Sequence, residues 1–153
     1  MKKKYFPLFV DLSEKHAVVI GAGRIAYRRI KSLSEFAGSI TVFAPNIADE
    51  LIEFANREEI EFVEREYNRD CLDDADIVFA ATDNKAVNRQ IYTDAKLRHL
   101  PVNVCDDPTL CDFYFPAIVE KDQIIIGITS SGSDHKRVKE IRQRIDKVIN
   151  TEV

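Results

Sequence analysis

Short apolar runs separated by polar turns set the rhythm of this chain. Residues 17–20, 40–44 and 76–81 are rich in Ala, Val, Ile and Phe, with little alternation, and Pro101-Val102-Asn103-Val104-Cys105 reads as one more strand. Runs of that kind suit strands covered on both faces, as in a parallel sheet. Residues 60–64 alternate apolar with acidic and add a further strand. Between the strands, residues 24–37, 47–58 and 85–99 place apolar side chains at helical spacing. Ile25, Ile30 and Leu33 form the inner face of the first helix, which Gly38 would stop. Val87, Ile91 and Leu97 form that of the third. Residues 68–74 read as a short helical link. Strands alternating with helices predict an α/β fold: a doubly wound parallel sheet of Rossmann type with five strands.

The two ends read differently. Phe6, Leu8, Val10 and Leu12 alternate with other residues, predicting a short edge segment or strand that leads into the first core strand. The turn at residues 13–16 makes His16 a solvated turn residue. Past residue 105, two strand-like runs at 113–119 and 123–128 are joined by Glu120-Lys121-Asp122, a β-hairpin. A C-terminal helix follows, with Asp134 as its cap and Val138, Ile141, Ile145 and Val148 as its stripe. The expected division is a dinucleotide-binding domain at 1–112 and a hairpin plus helix at 113–153. Apolar strands appended to a finished domain need a cover. The expectation is a homodimer closed by two-fold symmetry through the hairpin and last helix.

The chemistry gathers where strands end. Val18-Val19-Ile20-Gly21-Ala22-Gly23-Arg24-Ile25-Ala26 carries a glycine turn between a strand and a helix, the context of a dinucleotide fingerprint. Gly21 lets the chain turn, Gly23 lets a pyrophosphate approach the backbone, and Ala26 lets the helix pack closely. The helix N-terminus offers N–H groups to phosphate, with Arg24 in reach. The acid that often ends the second strand is replaced by Ala44-Pro45-Asn46, and no arginine for a 2′-phosphate stands there. The expected cofactor is therefore NAD rather than NADP. Asn46 suits a ribose hydrogen bond, the N-cap of the next helix, or both. Thr82-Asp83-Asn84 ends the fourth strand. Asp106 follows the fifth, where a general base would sit. Asp107 and Asp112 are alternatives, and all three also suit turns.

Composition narrows the class. The chain has 153 residues, 45% hydrophobic and 31% charged, ordinary for a globular domain. A net charge of −4 gives no reason to expect nucleic acid. No apolar run approaches the roughly 20 residues of a membrane span. The Met-Lys-Lys-Lys start lacks a signal-peptide core, so a cytoplasmic protein is expected. Cys71, Cys105 and Cys111 contain no C-x-x-C pair, pointing to reduced thiols with no disulfide framework and no metal site. Residues 136–147 hold six basic residues against two acidic ones. Lys136, Arg137, Lys139 and Arg142 are candidates for an anionic ligand, or a solvated helix face.

Several blocks, in order and over nearly the whole length, resemble the precorrin-2 dehydrogenase domain of siroheme biosynthesis, found alone or at the start of siroheme synthase. They are residues 5–12, the glycine turn, Ile40-Thr41-Val42-Phe43-Ala44-Pro45, Ala80-Ala81-Thr82-Asp83-Asn84 with Val87-Asn88, Asn103-Val104-Cys105-Asp106-Asp107-Pro108, residues 111–119, and Ile128-Thr129-Ser130-Ser131-Gly132. The resemblance implies NAD-dependent oxidation of precorrin-2, a tetrapyrrole, to sirohydrochlorin. It assigns cofactor contacts to Arg24, Ile25, Pro45 and Asn46, places Thr82 and Asp83 at the cofactor edge, and makes Asp106 the catalytic carboxylate. Some relatives also insert iron into sirohydrochlorin, and that second activity stays open. The chain departs from the family at Gly132-Ser133-Asp134-His135, where Gly-x-Ser-Pro is common. It stops at Val153, short of the further helices and methyltransferase domain of longer members. A different class, a nucleotide-sensing Rossmann module without catalysis, would also use the glycine turn, but gives no reason for the 103–119 block.

Overall fold

A computed structural model of the chain describes residues 5–47, 49–58 and 60–151. The basic start at 1–4, Ala48 within the expected second helix, Glu59 and residues 152–153 lie outside the described residues. Two compact units emerge, with residues 8–112 forming the larger. Its elements are β1 (His16–Ile20), α1 (Arg24–Leu33), β2 (Ser39–Ala44), α2 (Asp49–Glu58), β3 (Glu61–Glu64), β4 (Ile77–Ala80), α3 (Lys85–Leu97) and β5 (Val102–Val104). Single 3-10 turns at Arg69–Leu72 and Pro108–Leu110 complete it. The sheet order is β3-β2-β1-β4-β5, and every pair is parallel. In register, Val19 lies between Val42 and Phe79. Ala17, Val18, Val19, Val42, Val78 and Ala80 are each 0–1% exposed, which explains why these strands read as apolar runs without alternation. β3, at the edge, is only half-buried: Phe62 and Val63 lie between exposed Glu61 and Glu64, so neither face is fully covered.

Four local expectations are corrected. Residues 6–12 form no strand, and Phe6, Leu8, Phe9 and Val10 are 64–84% exposed. Alternation makes a strand only where an edge is available for pairing, and none takes this segment up among the described residues. α1 stops at Leu33, where Phe36 and Ala37 both donate to the Leu33 carbonyl at 2.9 and 2.8 Å. α2 starts at Asp49, so Asn46 is not its N-cap. His16 opens β1 instead of lying in a solvated turn. Its ring nitrogens reach the Asp74 carbonyl at 3.0 Å and Thr41 Oγ1 at 2.9 Å, tying β1 to β2.

α3 buries an unexpected face. Asn88, Ile91, Asp94 and Ala95 point inward, while Leu97 is 67% exposed. Asp94, only 2% exposed, accepts from Tyr67 Oη at 3.0 Å, Gln90 Nε2 at 3.1 Å and Arg69 Nε at 3.2 Å. Burial pushes its pKa up. The hydrogen bonds from Gln90 and Tyr67 and the charge of Arg69 outweigh this and hold it below the usual carboxylate value. Burial, reinforced by Asp94, pushes the Tyr67 phenol far up. This cluster fixes α3 against the Arg69–Leu72 turn.

The smaller unit comprises residues 5–7 and 113–151. β6 (Ala117–Lys121) and β7 (Ile124–Ile128) pair antiparallel, with Val119 opposite Ile126. Asp122, at φ +55°, makes the turn. α4 (His135–Thr151) begins where Asp134 Oδ1 accepts the Arg137 N–H at 2.8 Å, so Asp134 does cap it. α4 packs on β6, and the Lys121 ammonium donates to the Ile149 carbonyl. The rings of Tyr5 and Tyr114 meet at 4.2 Å. Val119 alone among the described residues of this unit is fully buried, and Ile124 and Val148 are 65% and 61% exposed. No helix among the described residues is long and apolar enough to cross a membrane.

Candidate dinucleotide site

Since all five strands run one way, the segments leaving β1, β2, β4 and β5 emerge along one edge of the sheet. The winding reverses between β1 and β4, and ligands of such sheets sit in the crevice that reversal opens. Gly21, Gly23, Arg24 and Ile25 leave β1, and Pro45 and Asn46 leave β2. Thr82 and Asp83 leave β4, and Asp106 leaves β5.

The two glycines do different work. Gly21 has φ +115°, and a Cβ there would lie 2.4 Å from the Ala81 carbonyl oxygen. Its N–H donates to the Phe43 carbonyl at 2.8 Å. It thus turns the chain off β1 while touching the exit of β4. Gly23 is extended, with φ −78° and ψ −179°, and a Cβ there would meet nothing within 4 Å. It is the N-cap of α1, makes no side-chain cap bond, and is followed by no acid in the first turn. Open space beside an uncapped helix start suits a pyrophosphate. Exposed Arg24 and Ile25 flank it, and Pro45 and Asn46 are also exposed.

Arg65, just past β3, lies beside the end of β2. The Arg65 backbone N–H donates to the Ala44 carbonyl at 3.0 Å. Its guanidinium lies 4.8 Å above the Phe43 ring and reaches Cys71 Sγ at 3.4 Å, while the residue as a whole is exposed.

Beyond β4, a side chain that pattern reading left out joins two candidates. Asn88, 1% exposed, accepts from Thr82 Oγ1 at 2.6 Å and from the Thr82 N–H at 3.1 Å through Oδ1. Its Nδ2 donates to the Thr82 carbonyl at 3.1 Å and to Asp106 Oδ1 at 2.6 Å. Asn84 caps α3 by accepting from the N–H groups of Ala86 and Val87. Asp83 is exposed.

The three acids near β5 separate by what they hold. Asp107 Oδ1 accepts from the Thr109 N–H at 2.9 Å and from its hydroxyl at 2.6 Å, forming a turn. Asp112 accepts from Lys96 Nζ at 2.8 Å and from the Val102 N–H at 3.1 Å, closing the strand end. Asp106 is exposed and held through Asn88. Burial pushes the Cys105 thiol up, against the pull of the Arg29 guanidinium that hydrogen-bonds it. Arg29 is half-buried and turned toward the end of β5. Cys111 Sγ accepts the Val104 N–H at 3.3 Å inside the core.

Among the substrate candidates of the smaller unit, Arg142 Nε donates to the Ile118 carbonyl at 2.9 Å, and Arg137 pairs with Glu140 at 3.4 Å. Lys136 and Lys139 are exposed on α4. Among the described residues no group of three or more His, Cys, Asp or Glu is arranged to hold a metal ion.

A parallel sheet with this reversal, a glycine turn and an open helix start together define a dinucleotide-binding domain. The chain belongs to the family NAD_binding_7, described as "Putative NAD(P)-binding", whose model matches residues 8–117. It is 38% identical over 144 residues to a siroheme synthase of Psychrobacter cryohalolentis, an alignment covering 94% of this chain and 28% of that protein. With siroheme synthase 1 of Klebsiella pneumoniae it shares 33% identity over 147 residues, covering 96% and 31%. The chain thus spans about a third or less of these relatives. A solved structure described as "SirC, precorrin-2 dehydrogenase" has the same fold. The TM-score is 0.79 at 24% identity, over 94% of this chain and 71% of that one.

Proposed function

We propose that this chain uses NAD to oxidise precorrin-2 to sirohydrochlorin. The observation that carries the reading is Asp106: a carboxylate at the carboxyl end of the sheet, not consumed by a turn or strand end, and linked through Asn88 to Thr82. The names of its relatives, siroheme synthase and precorrin-2 dehydrogenase, agree with it. In this assignment Gly21, Gly23, Arg24 and Ile25 cradle the cofactor's phosphates, Pro45 and Asn46 meet its ribose, and Thr82 and Asp83 line its edge. NAD, when bound, supplies the hydride acceptor. Asp106 takes up the proton that leaves the substrate as its ring system is oxidised. On α4, exposed Lys136 and Lys139 are assigned to the carboxylates of the tetrapyrrole, with Arg137 and Arg142 contributing where they can leave their present partners.

The test is absorbance. Protein mixed with precorrin-2 and NAD should form NADH and sirohydrochlorin together. NAD binding without turnover would instead support the sensor reading. Titration should show NAD binding more tightly than NADP, because no cation follows Phe43 directly and Arg65 is stacked on that ring. Equal or tighter NADP affinity would defeat that assignment. We also propose a homodimer through the smaller unit, whose thin core and exposed Ile124, Ile125 and Val148 leave apolar surface to cover. Light scattering at micromolar protein should give twice the 17.5 kDa chain mass; a monomer would overturn the assembly.

A further inference from the structure

We infer that Asn88 is a positioning residue for the oxidation: its buried amide aims the Asp106 carboxylate and ties it to the Thr82 loop. This deepens the proposed function and rests on it. The geometry is specific. All four hydrogen bonds of the side chain go to two places, the Thr82 segment leaving β4 and the Asp106 carboxylate beyond β5. The Nδ2 is shared between the Thr82 carbonyl and a carboxylate, at 3.1 and 2.6 Å. The donor needs no reorientation, because Oδ1 is fixed by the Thr82 N–H and hydroxyl at 3.1 and 2.6 Å. Asp106 is exposed, and an exposed side chain without that amide would sample several rotamers. Holding it in one geometry is the kind of orientation that speeds a proton transfer without tightening substrate binding.

The experiment compares the wild type with Asn88→Asp, Asn88→Ala, Asp106→Asn and the double variant Asn88→Ala/Asp106→Asn. Each is measured for melting temperature, NAD affinity, precorrin-2 KM and kcat. Asn88→Asp keeps the size and the Oδ1 acceptor but replaces the amide donor with a second carboxyl beside Asp106, so that the two acids must share a proton and Asp106 is no longer free to act as a base. The change should lower kcat by at least the roughly 10- to 100-fold worth of a hydrogen bond to a charged group. KM and NAD affinity should stay close to wild type. Asn88→Ala should lower kcat in the wild-type background and add almost nothing once Asp106 is Asn, because its effect runs through that carboxylate. Wild-type kcat in Asn88→Asp, or an Asn88→Ala loss equally large in both backgrounds, would overturn the inference. If Asn88→Asp does not fold, the alanine cycle decides. A wild type that makes no NADH from precorrin-2 would instead refute the functional reading beneath it.

Discussion

Asp106→Asn lowers precorrin-2 turnover by about 10²- to 10⁴-fold, the usual loss on removing a general base, while NAD affinity and melting temperature stay near wild type. Asn has almost the shape of Asp and can still accept the Asn88 amide through its oxygen, so the local structure has no reason to change. What it lacks is a charge and the ability to take a proton. Asp107→Asn is the matched control. Asp107 accepts from Thr109 N–H and Oγ1, a role the Asn oxygen fills equally well, so turnover should barely move. Asp112→Asn weakens the contact with Lys96 and is read in stability rather than rate. An Asp106→Asn protein with a rate like that of the wild type removes Asp106 from the mechanism, and the acid would have to be sought elsewhere.

The contrast between Asp106 and its neighbours could not be drawn from the sequence, where all three acids fit either a turn or a base. Only hydrogen-bond partners distinguish them. The sheet was easier to read. Buried parallel strands are short apolar runs, and the chain ends each with Gly, Pro, Asn or Asp, so position along the chain already puts Gly21, Asn46, Thr82 and Asp106 on one edge. Apolar pattern failed where burial is polar. On α3 the inward positions include Asn88 and Asp94, which stay buried because every hydrogen-bonding group finds a partner. Leu97 is apolar and its type predicts burial, yet it falls off the face set by Ile91 and Ala95. The segment from Phe6 to Val10 misled in the opposite way: its alternation is real, but no strand pairs with it among the described residues.

The two glycines should fail in different ways, and this separates the fold from the site. Gly21→Ala places a methyl 2.4 Å from the Ala81 carbonyl oxygen at a φ of +115° that L residues rarely adopt. Strain plus overpacking should cost about 2–4 kcal/mol of stability, since the exits of β1 and β4 must move apart. NAD binding is then lost together with the melting temperature. Gly23 has an ordinary extended backbone, and its Cβ position faces open space. Gly23→Val should therefore fold with a cost within about 1 kcal/mol, the scale of a changed N-cap. Its side chain, however, fills the approach to the start of α1, where the pyrophosphate must come within hydrogen-bond reach of the backbone. Calorimetric titration of a folded Gly23→Val protein should detect no NAD binding. Wild-type affinity in that variant would place the cofactor's phosphates somewhere other than the glycine turn.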